Sequence, residues 1–134
     1  MRALLTLGVS IALVACTAAS GGAGEETSLR IAYWEDAAGA RPDAAWTLRC
    51  APSGGTLARP ARACARLQAG GSALFAPLSP KVVCTEIYGG PQRARVTGLL
   101  YGKRVWATFA RSNGCHIARW ARVSPWLLPP GGAT

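Results

Sequence analysis

The stretch that decides the fold is RARVTGLLYGKRVWATFAR, residues 93–111. Apolar side chains alternate with polar or aromatic ones over Arg104–Phe109, which is the period of a strand with one buried face. In the middle of the stretch, Leu100–Lys103 includes a glycine and suits a tight turn. The stretch therefore predicts a β-hairpin with the strands Arg93–Leu99 and Lys103–Arg111.

Two earlier stretches show the same alternation. Ser28–Trp34 places apolar residues on one face, and Trp46–Cys50 places Cys50 on its apolar face. Both are predicted to be strands that share a core with the hairpin. Two shorter apolar runs are also predicted as strands, the second of them at an edge of the sheet: Lys81–Val83 and Trp126–Pro130.

Pro60–Gly70 carries the signals of a helix, with proline in the first turn, alanines within it and glycine at its end. Its arginines fall on one stripe while Cys64 and Leu67 fall on another. An amphipathic helix with an inward cysteine is therefore expected. A second, short helix is predicted over Cys115–Val123, ending before Pro125.

The first residues have the form of an export signal. Met1-Arg2 gives a positive start, and Ala3–Val14 is an apolar run that is too short to span a membrane comfortably. We therefore predict a signal peptide over residues 1–15, a small-residue tether over 16–26, a single domain over 27–130 and a frayed tail over 131–134. The protein is expected outside the cytoplasm.

Leu13–Cys16 resembles a bacterial lipobox, the signal in which the cysteine is acylated and becomes the new N-terminus. This resemblance predicts a lipoprotein that is anchored to the outer face of the cell membrane through lipid on Cys16. The alternative is ordinary cleavage near Ala18 or Ala19, which would discard Cys16 and leave an extracellular domain.

Four further cysteines remain in an exported chain, an even number that predicts two disulfides. Three pairings are open, and the simplest is sequence-local: Cys50 with Cys64 and Cys84 with Cys115. Zinc is the competing use of four cysteines. Because the chain has no C-x-x-C pair and a single histidine, neither a metal nor another cofactor is expected.

The full chain has 15 Lys and Arg against 6 Asp and Glu, for a formal charge of +9. A surplus of this size suits nucleic acid or an anionic envelope surface. The arginines occur as scattered single residues from Arg30 to Arg122 rather than as a basic run. Scattered arginines are typical of a solvated face, so nucleic acid is not an expected partner.

Lys81–Pro91 is where a protein partner is expected. Apolar residues lead into Cys84, Thr85–Tyr88 follows, and a Gly-Gly-Pro turn ends the stretch. If Cys84 is disulfide-bonded, Thr85–Tyr88 is pinned behind and stopped ahead, which holds its backbone extended in solvent. Such a loop suits recognition by another protein's cleft, because little conformational entropy is left to lose on binding.

Several motifs, taken in order, resemble the Streptomyces subtilisin inhibitor family over most of the chain from about Leu29 to Trp120. They are Trp46–Pro52, Ala63-Cys64, Cys84–Tyr88, Gly102–Val105 and Ser112–Cys115. The resemblance implies an α+β fold, a five-stranded antiparallel sheet with two short helices, and the disulfides Cys50–Cys64 and Cys84–Cys115. It also implies that the protein inhibits serine proteases with a substrate-like loop and is not an enzyme. Family members often dimerise through the sheet, so a homodimer is a further hypothesis.

By the same resemblance the reactive bond is Glu86–Ile87, with Cys84 and Thr85 before it, Tyr88 after it and Asn113 bracing the loop from behind. Subtilisin-type and trypsin-type enzymes prefer an apolar or basic residue at position 86. Burying an unpaired carboxylate in an apolar pocket costs on the order of several kcal/mol. The expected partner is therefore an extracellular serine protease, either a glutamate-specific enzyme or a subtilisin that is inhibited weakly.

Two further departures from the family affect the same loop. Thr85 stands where better-known members have proline, and Gly89-Gly90 follows the loop. Both are expected to loosen it. The alternative function is a non-inhibitory cell-envelope binding module on the same fold.

Overall fold

A computed structural model describes residues 26–131. This part of the chain forms one antiparallel sheet of four strands, in the order β2-β1-β3-β4, with two α-helices. The strands are β1 (Thr27–Trp34), β2 (Ala44–Cys50), β3 (Arg93–Leu100) and β4 (Lys103–Ala110). The helices are α1 (Pro60–Gly70), which a 3₁₀ helix (Gly71–Phe75) follows at once, and α2 (Gly114–Val123). No helix within residues 26–131 has the length and apolar character to cross a membrane.

The predicted hairpin is confirmed as β3 and β4, which pair along their whole length. Its turn residues, Tyr101 and Gly102, both have positive φ, at 50° and 76°. A two-residue type I′ turn requires this conformation, because its twist matches that of the strands.

The hairpin turn is also tied to the start of β1. The Gly102 N–H donates to the Glu26 carbonyl at 2.8 Å, and the Tyr101 N–H donates to Thr27 Oγ1 at 3.1 Å. The first described residue of the chain therefore lies at the same end of the sheet as the hairpin turn.

One face of the sheet and both helices enclose the core. The alternation predicted for the strands is confirmed, since Ile31, Leu48 and Val96 are 0% exposed. Leu67 of α1 and Val123 of α2 reach the same core and are buried as completely. Full burial of such a side chain contributes about 1.5–3 kcal/mol relative to its exposure. Their combined burial is what holds the helices on the sheet.

The Cys50–Cys64 disulfide joins α1 to β2, with the two Cα atoms 5.8 Å apart. The buried face of α1 contains Ala63 and Leu67, while its arginines are exposed. The predicted amphipathic helix with its inward cysteine is confirmed.

The prediction of a fifth strand is wrong for the described part of the chain. Trp126–Pro130 does not join the sheet but folds back over the end of α2, where the Leu127 and Leu128 N–H groups donate to the Val123 carbonyl at 2.9 and 3.0 Å. Leu127 and Leu128 are 1% exposed, so this apolar run fills the core from a turn. The prolines that flank it have no N–H to give to a strand ladder. Lys81–Val83 is likewise not a strand.

The outer face of the sheet, opposite the core, carries every arginine of the strands. The register places them on this face in successive rows: Arg49 and Arg104 in one, Arg30 in the next, Arg95 in the third and Arg93 in the last. Two tryptophans lie among them. The Arg93 guanidinium stacks on Trp34 at 4.6 Å, and that of Arg95 lies 5.0 Å from the ring of Trp106. The outer face is therefore basic and aromatic.

Candidate functional site

The segment 81–88, called the exposed segment below, places large apolar side chains in solvent. Val83 is 95% exposed, Ile87 64% and Tyr88 66%. Thr85 and Glu86 between them are exposed as well. Several large apolar side chains exposed within eight residues are typical of a surface that a partner covers.

The chain before Glu86 is fixed to the N-terminus of α2. The predicted disulfide Cys84–Cys115 is present, with Cα atoms 5.4 Å apart. Next to it, the Gly114 N–H donates to the Thr85 carbonyl at 2.9 Å. A β-carbon on Gly114 would lie 2.0 Å from Thr85 Oγ1, so any larger residue would force the Thr85 side chain to move.

The chain after Tyr88 is fixed by a second main-chain contact. The Gly89 N–H donates to the Arg111 carbonyl at 2.8 Å. A β-carbon on Gly89 would lie 2.8 Å from Ile117 Cδ1, and Gly90 has φ of 134°. The absence of a side chain at Gly89 therefore allows a close contact that holds this end of the exposed segment; whether the pair also loosens the loop stays a prediction.

A hydrogen-bonded network supports Arg111 from behind. Its Nη1 donates to Gln92 Oε1 at 3.1 Å, and Gln92 Nε2 donates to Glu35 Oε1 at 3.1 Å. The Tyr33 hydroxyl donates to Glu35 Oε2 at 2.5 Å. Burial and then this bond to Glu35 raise the pKa of Tyr33 to about 12, while the bonds from Tyr33 and Gln92 lower the pKa of Glu35. The network links the end of β1 to the anchor of the exposed segment.

Arg119 holds the chain that leads into the exposed segment. From the buried side of α2 it donates to the carbonyls of Phe75 and Ala76, at 3.2 and 3.0 Å, and to the Thr108 carbonyl. Its guanidinium stacks on the Phe109 ring at 4.1 Å. Burial, and after it the neighbouring charge of Arg122, lowers the pKa of Arg119. Three carbonyls satisfy this cation and tie the 3₁₀ helix to β4 and α2.

Asn113 caps α2. Its Oδ1 accepts a hydrogen bond from the His116 N–H at 3.0 Å, which satisfies one of the free donors of the first turn. Within residues 26–131, the Asn113 side chain makes this capping bond, and the hydrogen bonds that brace the exposed segment come from the main chain of Gly114 and Arg111.

The sequence predictions placed Cys84, Thr85, Glu86, Ile87, Tyr88 and Asn113 in one site, and the structure brings Cys84, Thr85 and Asn113 to the N-terminus of α2. The anchoring residues Arg111, Gly114 and Arg119 were missed. For Arg119 a signal existed: it stands four residues before Val123 and therefore shares the core-facing stripe of the helix. A cation on such a stripe indicates a structural role.

The site is a solvent-exposed segment whose main chain is held on both sides of Glu86–Ile87. A segment held in this way can enter another protein's cleft with little further ordering. Cys84 and Cys115 are joined to each other. In the part of the chain that the structure describes, no three His, Cys, Asp or Glu side chains group together as a metal site requires. The predicted signal peptide and most of the tether, including Cys16, lie outside the described residues.

Comparisons with known proteins agree with this geometry. The family model described as subtilisin inhibitor-like matches residues 14–113, about three quarters of the chain. Among solved structures, the chain is similar to Streptomyces caespitosus sermetstatin, crystallised in complex with Bacillus licheniformis subtilisin, with a TM-score of 0.53 and 26% sequence identity. The likeness covers 77% of this chain and 97% of the sermetstatin chain. No curated protein matches the chain.

Proposed function

Because the chain belongs to the subtilisin inhibitor-like family, we propose that it inhibits an extracellular serine protease and that residues 84–88 enter the cleft of that protease. The fold and the likeness to an inhibitor crystallised with subtilisin support protease inhibition. Members of this family are inhibitors, and the chain is not an enzyme. The observation that carries the proposal is that the exposed segment is fixed by its main chain on both sides of Glu86–Ile87.

The proposed reactive bond is Glu86–Ile87. On one side, Cys84 is bonded to Cys115 and Thr85 to Gly114; on the other, Gly89 is bonded to Arg111. After cleavage these anchors would keep the new ends close to each other. A high effective concentration of one new end near the other favours resynthesis of the bond over release of the fragments. Net hydrolysis of the inhibitor is then slow.

Asn113 acts indirectly in this proposal. By capping α2 it fixes the first turn of the helix, from which the Gly114 N–H reaches the Thr85 carbonyl. Thr85 in place of proline retains this support, because the acceptor is a main-chain oxygen that any residue supplies.

Glu86 sets the class of target. Its carboxylate is exposed, and entry into an apolar pocket would cost on the order of several kcal/mol unless the protease supplies a cation or strong donors. We therefore propose a glutamate-specific serine protease as the preferred target, with subtilisins bound more weakly. Ile87 and Tyr88 would supply apolar contact on the other side of the bond.

The test is the inhibition constant against one glutamate-specific serine protease and one subtilisin, for the wild-type chain and for Glu86→Met. We expect tight inhibition of the first enzyme by the wild type, and a shift of preference to subtilisin in the variant. Glu26→Met, which removes an exposed carboxylate at the opposite end of the sheet, is the matched control and should change neither constant.

If neither form inhibits either enzyme, the proposal is wrong and the alternative gains, which is a non-inhibitory envelope-binding module. Rapid cleavage at Glu86 with release of both fragments would also contradict it, since the anchors would then not hold the cut ends.

We further propose that the protein is exported and anchored through lipid on Cys16. Two disulfides support an oxidising compartment, because such bonds are rare in the cytosol. Detergent partitioning of the wild type and of Cys16→Ala tests the anchor: the wild type should enter the detergent phase and the variant should not. A variant that partitions as the wild type does would contradict lipidation.

A further inference from the structure

The end of the sheet where the chain enters the domain is fixed. Glu26 and Thr27 are hydrogen-bonded to the turn between β3 and β4, at Gly102 and Tyr101. The residues that precede Glu26, including Cys16 and the apolar run Ala3–Val14, therefore join the domain beside this turn. Between Cys16 and Glu26 the chain can span at most about 35 Å.

Cations and aromatic rings cluster at this end of the sheet. Arg104 and Trp106 lie on the outer face, whereas Lys103 pairs with the buried Leu100 and Tyr101 lines a depression with residues of α1, so both lie at the end of the sheet on the α1 side. Lys103 and Arg104 follow the turn, Arg49 stands in the same row of the sheet as Arg104, and Arg30 and Trp106 share the next row. Trp106 is 71% exposed, and Tyr101 in the turn is 39% exposed. These residues are called the turn surface below: Arg30, Arg49, Tyr101, Lys103, Arg104 and Trp106.

The carboxylates are concentrated at the opposite end. Of the five in the described part of the chain, only Glu26 lies at the turn surface. The other four lie beyond the far end of β1 or in the exposed segment: Glu35, Asp36, Asp43 and Glu86. The domain therefore presents its basic, aromatic end on the side from which the N-terminal chain leaves.

Two shallow depressions on the turn surface could receive small anionic groups. One, of about 390 Å³, is lined by Arg30, Arg49 and Thr97; the other, of about 470 Å³, is lined by Thr97, Arg104 and Trp106. They adjoin at Thr97, so cationic side chains line a continuous surface.

We propose that the turn surface docks on an anionic phospholipid bilayer, the one into which the N-terminal segment leads. Guanidinium and ammonium groups are attracted to anionic headgroups, and Trp and Tyr side chains favour the boundary between headgroups and acyl chains. This docking does not depend on protease inhibition. With β1 standing on the membrane, its far end and the exposed segment lie roughly 23 Å away and face outward.

A second copy of the chain is the other occupant that an exposed sheet face can take. Five arginines from each copy would then meet across the interface, and no carboxylate of the strands would neutralise them. Like charges brought together in this way oppose association, so charge favours the bilayer.

The test uses the chain from residue 17 onward, which lacks the apolar run and Cys16 but retains the whole described core and both disulfides. Co-sedimentation is measured with vesicles of phosphatidylcholine alone and with vesicles that also contain phosphatidylglycerol. We expect binding to the anionic vesicles alone, weakening as salt rises. Lys103→Glu with Arg104→Glu should weaken it at least about tenfold. Arg62→Glu with Arg66→Glu, an equal change of charge on the exposed stripe of α1, should weaken it far less.

A blue shift of tryptophan emission on anionic vesicles, lost in Trp106→Phe, would support insertion of that side chain. Equal losses in the two charge-reversed variants, absence of vesicle binding, or self-association of the wild type that Arg104→Glu changes would each overturn the proposal. So would binding to single-stranded DNA that anionic vesicles do not displace. Because the turn surface and the exposed segment lie at opposite ends, protease inhibition measured on the same samples shows whether each variant is folded and keeps the two proposals separately testable.

Discussion

The two disulfides have similar geometry and opposite surroundings. Cys50–Cys64, with Cα atoms 5.8 Å apart, joins a strand to a helix over completely buried Leu48 and Leu67. Cys84–Cys115, at 5.4 Å, joins a helix to a segment whose Val83 and Ile87 are mostly exposed. The Cys50–Cys64 disulfide thus adds to the packing of buried side chains, whereas the Cys84–Cys115 disulfide holds a segment that has little such packing. Around Cys84 the restraint is covalent and main-chain, and the side chains stay exposed, as the proposed function requires.

The largest effect is expected from breaking each disulfide in turn. Cys84→Ser with Cys115→Ser should weaken protease inhibition at least about 100-fold, since the residues around Glu86 must then be ordered on binding. It should also lower the free energy of unfolding by about 4 kcal/mol, as expected for a closed loop of this length. Inhibition assays and urea unfolding measure the two quantities.

Cys50→Ser with Cys64→Ser is the matched control. This pair should lower the free energy of unfolding by about 3 kcal/mol, and leave the inhibition constant unchanged at a temperature where the variant is folded. If both pairs weaken inhibition equally, the comparison between the two disulfides fails.

Gly89→Ala should give the next largest effect. The added β-carbon would lie 2.8 Å from two atoms of Ile117 and 3.1 Å from the Arg111 carbonyl, which displaces the anchor of the exposed segment. Overpacking of this kind costs about 1–3 kcal/mol, and we expect inhibition to weaken about tenfold with it. Ile117→Ala in the same chain should restore part of the loss.

Gly54→Ala is the corresponding change beside the other disulfide. The nearest atom to its added β-carbon is Arg49 Nη2, at 3.5 Å, an ordinary contact. Inhibition and stability should both be close to wild type. A loss here as large as that of Gly89→Ala would contradict the role given to close packing.

Asn113→Ala should have a smaller effect. Loss of the bond to the His116 N–H removes the cap of α2 and costs about 1 kcal/mol. We expect thermal unfolding to shift down by a few degrees and inhibition to weaken a few-fold, because the first turn also holds Thr85. Asn113→Asp keeps an acceptor for the His116 N–H and should behave nearly as the wild type does. An equal loss in both variants would show that capping is not the cause.

The smallest effect is expected on the pH dependence of stability, through Glu35. Since hydrogen bonds lower the pKa of Glu35, this carboxylate is protonated at a lower pH in the folded state than in the unfolded chain. This contribution to stability is present above the unfolded pKa of about 4.3 and is lost as pH falls through the lower, folded value. Glu35→Gln should therefore show a shallower loss of stability below that pH, measured by urea unfolding across the range. Identical slopes would contradict the prediction.

Strand and helix periodicity was sufficient to predict most of the fold. Alternation located β1, β2 and the hairpin, and the proline and glycine of Pro60–Gly70 bounded α1 at its observed residues. The fifth strand was wrong because Trp126–Pro130 has the composition of a strand. What decides its conformation is a long-range property: the core still has room beside Val123, which Leu127 and Leu128 fill.

The site was less predictable from sequence for a similar reason. Cys84 and the residues after it are contiguous, so the exposed segment could be found. The close contact at Gly89 could not be predicted, because it depends on which residue lies opposite the glycine, here Ile117. Arg119 reaches carbonyls more than thirty residues away along the chain, a pairing that no local pattern encodes.

The exposed segment is held by main-chain hydrogen bonds and a disulfide, and this has a consequence for its evolution. The Thr85 carbonyl, the Gly89 N–H and a disulfide hold it, while the side chains at positions 86, 87 and 88 are exposed. Substitutions there are therefore expected to disturb folding little. Under the proposed function, a change in the pocket of the target protease could then be matched by a single substitution at position 86.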